Sequence, residues 1–123
     1  MKAPIQVIII DRDPVFIEEV KDLLNHGRYQ TAAYTRIPED AEEIREQHPD
    51  VIMIDLGMQE QRTLDFIREL KRISEKENIA IIAFSDDLSD REIAELKEHY
   101  GIRAFYVKTH NPRELRDIVL GMD

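Results

Sequence analysis

The stretch Val51-Ile52-Met53-Ile54-Asp55 runs apolar for four residues and stops at a carboxylate, with Pro49-Asp50 before it and Leu56-Gly57 after it. It is mostly β-branched and no polar residue alternates through it. This predicts a strand covered on both faces, as in a parallel sheet between two layers of helices. Working outward, three more runs end in the same way. Val7 to Ile10 ends in Asp11, Ile79 to Phe84 ends in Ser85, and Phe105-Tyr106-Val107 ends in Lys108. Open parallel sheets bind ligands beyond the carboxyl ends of their strands. Asp11, Asp55, Ser85 and Lys108 are therefore expected to converge there.

The segments between these runs carry helix signals. Asp13-Pro14 reads as an N-cap followed by proline at the first helical position, with Phe16, Val20, Leu23 and Leu24 on one face and Gly27 as the stop. Tyr29 to Thr35 predicts a short second strand. Pro38 to Gln47 predicts an acidic helix with only Ala41 and Ile44 inward; its Glu39, Asp40, Glu42 and Glu43 suit a positive N-terminal end. After a loop from Gly57 to Gln61, a helix places Leu64, Ile67, Leu70 and Ile73 inward. Ser89-Asp90-Arg91-Glu92 is a capping box opening a helix with Ile93, Leu96 and Tyr100 inward and Gly101 at its end. Asn111-Pro112 opens the last helix, with Leu115, Ile118 and Val119 inward. Strand and helix thus alternate throughout, which predicts an α/β, doubly wound parallel sheet with helices on both faces.

A length of 123 residues predicts a single domain over residues 1–123, able to bury a core without metal or disulfide. The absence of cysteine excludes disulfides, thiolate nucleophiles and thiolate metal sites. The first apolar run is only a strand long and charges follow it at once. Neither a signal peptide nor a membrane span is expected, and the predicted location is cytoplasmic. A formal charge of −9 opposes nucleic acid or an anionic membrane as a direct partner. His26, His48, His99 and His110 lack metal-ligand spacing and lie near element ends.

Four features now stand in order on the strand tips: the acid Asp11, the Pro-Asp-apolar run ending in Asp55, the hydroxyl of Ser85 and the amine of Lys108. Together they resemble the receiver domains of two-component response regulators, and the resemblance covers nearly the whole chain. It implies a flavodoxin-like (βα)5 sheet with strand order 2-1-3-4-5. By that similarity Asp55 accepts a phosphoryl group from a histidine kinase or phosphotransfer protein, and Ser85 and Lys108 contact its oxygens. Asp11, Asp55 and the backbone carbonyl of Gly57 would hold Mg2+. Phe105 matches an aromatic switch position whose rotamer follows that of the hydroxyl residue. The implied output is a protein, or a second copy, bound through the fourth helix, fifth strand and fifth helix. Any activity would be limited to autophosphorylation of Asp55 from a phosphodonor. A carboxylate attacks an anionic phosphoryl group poorly unless cations neutralise the incoming oxygens, so the chemistry needs such a cluster.

Three departures from that pattern matter. Arg12 stands where the family has its second first-strand acid. The usual pocket sets three carboxylates against one lysine, an excess that a divalent ion cancels. Here Asp11 and Asp55 are matched by Arg12 and Lys108, which weakens the attraction for Mg2+. A guanidinium can bridge carboxylates with paired hydrogen bonds, so Arg12 is expected to act as a built-in counter-ion if it turns inward. Asp86 occupies a position where the family has a small residue, adding bulk and negative charge at the entrance unless it points to solvent. Thr109 replaces the proline that follows the lysine. Without proline a cis bond costs about 2.5–4 kcal/mol, so a trans bond and a reshaped loop are expected. The loop after Asp55 also has Gln59 and Thr63 in place of the family's proline and glycine.

Two function classes fit this reading: a working phosphorylation switch, and a pseudo-receiver that binds or dimerises without phosphorylation. A third is an enzyme. Asp11-Arg12-Asp13 also resembles the Asp-x-Asp nucleophile motif of haloacid-dehalogenase-type phosphatases, but these need acids beyond the lysine strand. Only Glu114 and Asp117 follow it on the last helix, and Asp55 would be left unexplained. An FMN site would need a Ser/Thr/Gly-rich phosphate loop after the first strand, where Asp11 and Asp13 would repel a phosphate.

Overall fold

The computed structural model describes residues 4–25, 27–58, 60–86, 89–108 and 112–121. Strands and helices alternate as β1 (Ile5–Ile10), α1 (Pro14–Leu23), β2 (Tyr29–Tyr34), α2 (Ala41–Arg45), β3 (Val51–Asp55), α3 (Glu60–Glu77), β4 (Ala80–Ser85), α4 (Asp90–Tyr100), β5 (Ala104–Val107) and α5 (Pro112–Leu120). The sheet is parallel throughout, in the order β2-β1-β3-β4-β5. This is the doubly wound arrangement expected.

Every residue of β3 is buried, because the strand is central and covered twice. Period-2 alternation sorts the side chains between two layers. Val7, Ile9, Val51, Met53, Ile82 and Phe84 face α1 and α5, where Phe16, Val20, Leu115 and Val119 complete one cluster. Ile8, Ile10, Ile52, Ile54, Ile81 and Ala83 face the other way, against Ile44 of α2 and Phe66, Ile67 and Leu70 of α3. Each of these large side chains stabilises the fold by roughly 1.5–3 kcal/mol when removed from water.

The local signals hold at the caps. Asp13 Oδ1 accepts from the Val15 amide, with Pro14 at the first helical position. Ser89 and Glu92 form the capping box reciprocally, and Gly101 ends α4 at φ 66°. Four expectations need correction. α2 covers only Ala41–Arg45, because Asp40 takes the N-cap and leaves Pro38 and Glu39 in the preceding loop. α4 buries no residue fully: Ile93, Leu96 and Tyr100 are only half-buried, since the helix lies over the narrow end of the sheet beside the short β5. On α3, Leu64 is half-buried whereas Thr63 and Phe66 are buried, a shift of the inward face by about one position. α1 ends at Leu23 with Leu24 as its C-cap, so Gly27 lies beyond the stop. His26, Gln59, Thr109, His110 and Asn111 lie outside the described residues, and with them the expectation about the peptide after Lys108.

Candidate functional site

Asp11, Asp55, Ser85 and Lys108 each end or directly follow a strand of the sheet, and backbone hydrogen bonds tie neighbouring strand ends together. Leu56 N donates to Phe84 O at 2.9 Å and Lys108 N donates to Ser85 O at 2.9 Å. Asp11 is fully buried and Asp55 is 7% exposed. Lys108 Nζ lies 2.7 Å from Asp11 Oδ2 and 3.3 Å from Asp55 Oδ2, so one ammonium bridges two carboxylates. The opposite oxygens are also held. Asp11 Oδ1 accepts from the Asp13 amide at 2.9 Å, and Asp55 Oδ1 accepts from the Gly57 amide at 2.9 Å.

The electrostatics follow from burial and pairing. Burial raises the Asp11 pKa above its ordinary 3.8 and nearby Asp55 adds to the rise; the Lys108 ammonium and the Asp13 amide oppose it without cancelling it. Burial also works against the charged form of Lys108. The hydrogen bond and charge of Asp11, reinforced by Asp55, outweigh it, and the lysine pKa stands above 10.5. The ammonium sits 4.7 Å over the centre of the Phe16 ring, a cation–π contact that a reading of Phe16 as core alone does not reveal.

Ser85 is half-buried and lines, with Leu56 and Gly57, a groove that continues between α3 and α4 past Glu92, His99 and Tyr100. Phe105 is half-buried and packs on the α2–α3–α4 side of the sheet. Asp86 is exposed, the outward one of the two placements anticipated.

Arg12 takes the outward of the two orientations the sequence left open. It is exposed, and among the described residues it makes no ion pair with Asp11 or Asp55. Among the described residues Lys108 is the counter-ion that reaches both carboxylates. Arg12 lines a different cleft, together with Arg36 and Arg62, which the sequence reading did not single out.

A model of the response regulator receiver domain family matches residues 7–120. The chain belongs to the response regulator receiver domain family. Solved receivers share its fold. Chemotaxis protein CheY4 of Vibrio cholerae is 20% identical with a TM-score of 0.83, over 98% of this chain and 100% of that one. The receiver domain of a DNA-binding response regulator from Colwellia psychrerythraea is 21% identical with a TM-score of 0.80, over 96% and 97%. A response regulator receiver protein from Pseudomonas putida is 26% identical with a TM-score of 0.74, over 98% and 99%. None of the curated proteins compared matches the chain.

Receiver domains generally bind Mg2+ in this pocket, and the donor set here does not fit that ion. All four oxygens of Asp11 and Asp55 are engaged, by Lys108 and by backbone amides. The position of the third carboxylate is an exposed arginine, and no group of three acids or histidines among the described residues could hold a metal. Glu114 and Asp117, the acids a dehalogenase-type receiver of magnesium would need, are exposed on α5.

Proposed function

We infer that this receiver domain takes part in phosphorelay signalling with Asp55 as phosphoryl acceptor, and that its metal-assisted chemistry is impaired. The observation that carries this reading is the Lys108 ammonium, 3.3 Å from Asp55 Oδ2 at the tip of a fully buried strand. In the step proposed, Asp55 Oδ2 attacks the phosphorus of a phosphohistidine on a kinase or phosphotransfer protein. The P–O bond forms as the P–N bond breaks, and the imidazole leaves with the electron pair. Lys108 neutralises the incoming oxygens, Ser85 supplies a hydroxyl contact, and Phe105 follows the hydroxyl residue as the switch. Output runs through the face of α4, β5 and α5 to a partner protein or a second copy. The exposed, loosely seated α4 supports this surface. We further propose that residues 1–123 work as one unit in the cytoplasm; no described helix is long and apolar enough to cross a membrane.

Arg12 and the missing third acid favour a second reading, a pseudo-receiver that binds partners or dimerises without phosphorylation. One experiment separates the two. The purified chain is incubated with acetyl phosphate, with and without Mg2+, and intact mass is followed beside Asp55→Asn. A hydrolysis-labile phosphoryl adduct that needs Asp55 supports the acceptor. No adduct in any condition, while Arg12→Asp gains one, supports the pseudo-receiver.

A further inference from the structure

Beside the acceptor pocket lies a second cleft of about 610 Å³, formed by the β2–α2 loop and the β3–α3 connection. Arg12, Arg36 and Arg62 line it, although acids exceed bases by 26 to 17 in the chain. These cations lack the pairing seen elsewhere, where Arg45 is held by Glu42 and Glu77. Among the described residues Arg12 and Arg36 make no ion pair, and Arg62 donates only to the Ile37 carbonyl, at 3.4 Å. Three like charges gathered at one cleft repel one another, and a bound anion relieves that repulsion. Guanidinium groups match phosphate oxygens in paired hydrogen bonds.

The rest of the lining narrows the ligand. Pro38, Tyr34 and Met58 also line the cleft, giving it an apolar side. The Tyr34 hydroxyl is held by the Gln47 side-chain amide, which orients the phenol ring. Glu39 and Glu43 also line the cleft and repel a bare phosphate, while accepting hydrogen bonds from hydroxyl or amino groups. The volume lies within the range of small-molecule sites. We propose that this cleft binds a nucleoside phosphate, with its phosphate on the arginines, its ring on Tyr34, Pro38 and Met58, and its donors on the two glutamates.

The proposal goes beyond the acceptor reading and does not depend on it, since neither Asp55 nor Lys108 lines the cleft. The test is calorimetric titration of the full chain with AMP, GMP and inorganic phosphate at one fixed ionic strength. It is repeated in Asp55→Asn, Arg36→Gln and Arg62→Gln. At least one nucleotide is expected to bind saturably and more tightly than phosphate. Each arginine variant weakens it about tenfold, the scale of one charge-assisted hydrogen bond, while Asp55→Asn leaves it unchanged. Both arginines are exposed, and unchanged thermal midpoints would confirm that the variants fold. Absence of saturable binding, equal affinity for phosphate and nucleotide, or indifference to both arginine changes overturns the proposal.

Discussion

The ammonium of Lys108, at the end of β5, reaches Oδ2 of Asp11, at the end of β1, across a distance of 2.7 Å. β3 and β4 separate those strands, so the lysine side chain spans the sheet edge and passes Asp55 on the way. Removing it strands two buried carboxylates. Lys108→Met is expected to cost about 3 kcal/mol at pH 7, and less at pH 4, where Asp11, its pKa raised by burial, takes up a proton more readily. Urea denaturation at both pH values checks this; an equal cost at both would contradict the bridge. In the native chain the raised lysine pKa makes its contribution complete below 10.5 and lost as pH rises through the higher folded value.

Asp11 sets a slope of the same sign at the acid end. Its pKa is raised on folding, so between 3.8 and the folded value the native state keeps a proton that the unfolded chain has lost. Stability from this group therefore falls as pH rises through that window. Asp11→Asn abolishes the effect. The stability difference, variant minus native, should climb with pH through the window and then level off, and a flat difference from pH 3.5 to 7 would refute the assignment.

Arg12→Asp restores a third carboxylate beside Asp11. Millimolar Mg2+ is expected to raise the thermal midpoint of the variant and leave that of the native chain unchanged. At a concentration about ten times Kd the gain is roughly 1.4 kcal/mol. Equal stabilisation of both proteins by Mg2+ would mean that two carboxylates suffice.

Ile67, fully buried between α3 and the sheet, tests the cluster on the α2–α3 side. Ile67→Ala should destabilise by about 2–5 kcal/mol in urea denaturation, from lost burial and the cavity left behind. A cost under about 1 kcal/mol would mean the layer repacks freely.

Gly101 ends α4 at φ 66°, and a Cβ there would meet Lys71 Cγ at 2.9 Å. The left-handed backbone strains any Cβ there, and the stem of Lys71 must shift as well. Gly101→Ala should cost about 1–2 kcal/mol, read as a lowered thermal midpoint.

Much of this was legible without coordinates. The uninterrupted run at Val51 to Ile54 demanded cover on both faces, and Asp13-Pro14 and Ser89 to Glu92 announced their helix starts, because caps depend on neighbours in the chain. The length of α2 was not legible: Glu39, Asp40 and Glu42 are all acceptable near a helix start, and only backbone geometry chose Asp40 as the cap.

The sequence by itself determined that carboxylates, a hydroxyl and an amine end the strands of a parallel sheet, since buried runs and the alternation of strand with helix follow from local pattern. Tertiary structure alone decided which charges meet. Arg12 and Lys108 were equal candidates as counter-ion, and each is long enough to reach a carboxylate. Past the end of β1, Arg12 lies outward at a cleft shared with Arg36 and Arg62, residues far apart in the chain that only folding brings together. The same packing sets Lys108 over the Phe16 ring and between two buried acids, because its stem is covered and its charge has nowhere else to be satisfied.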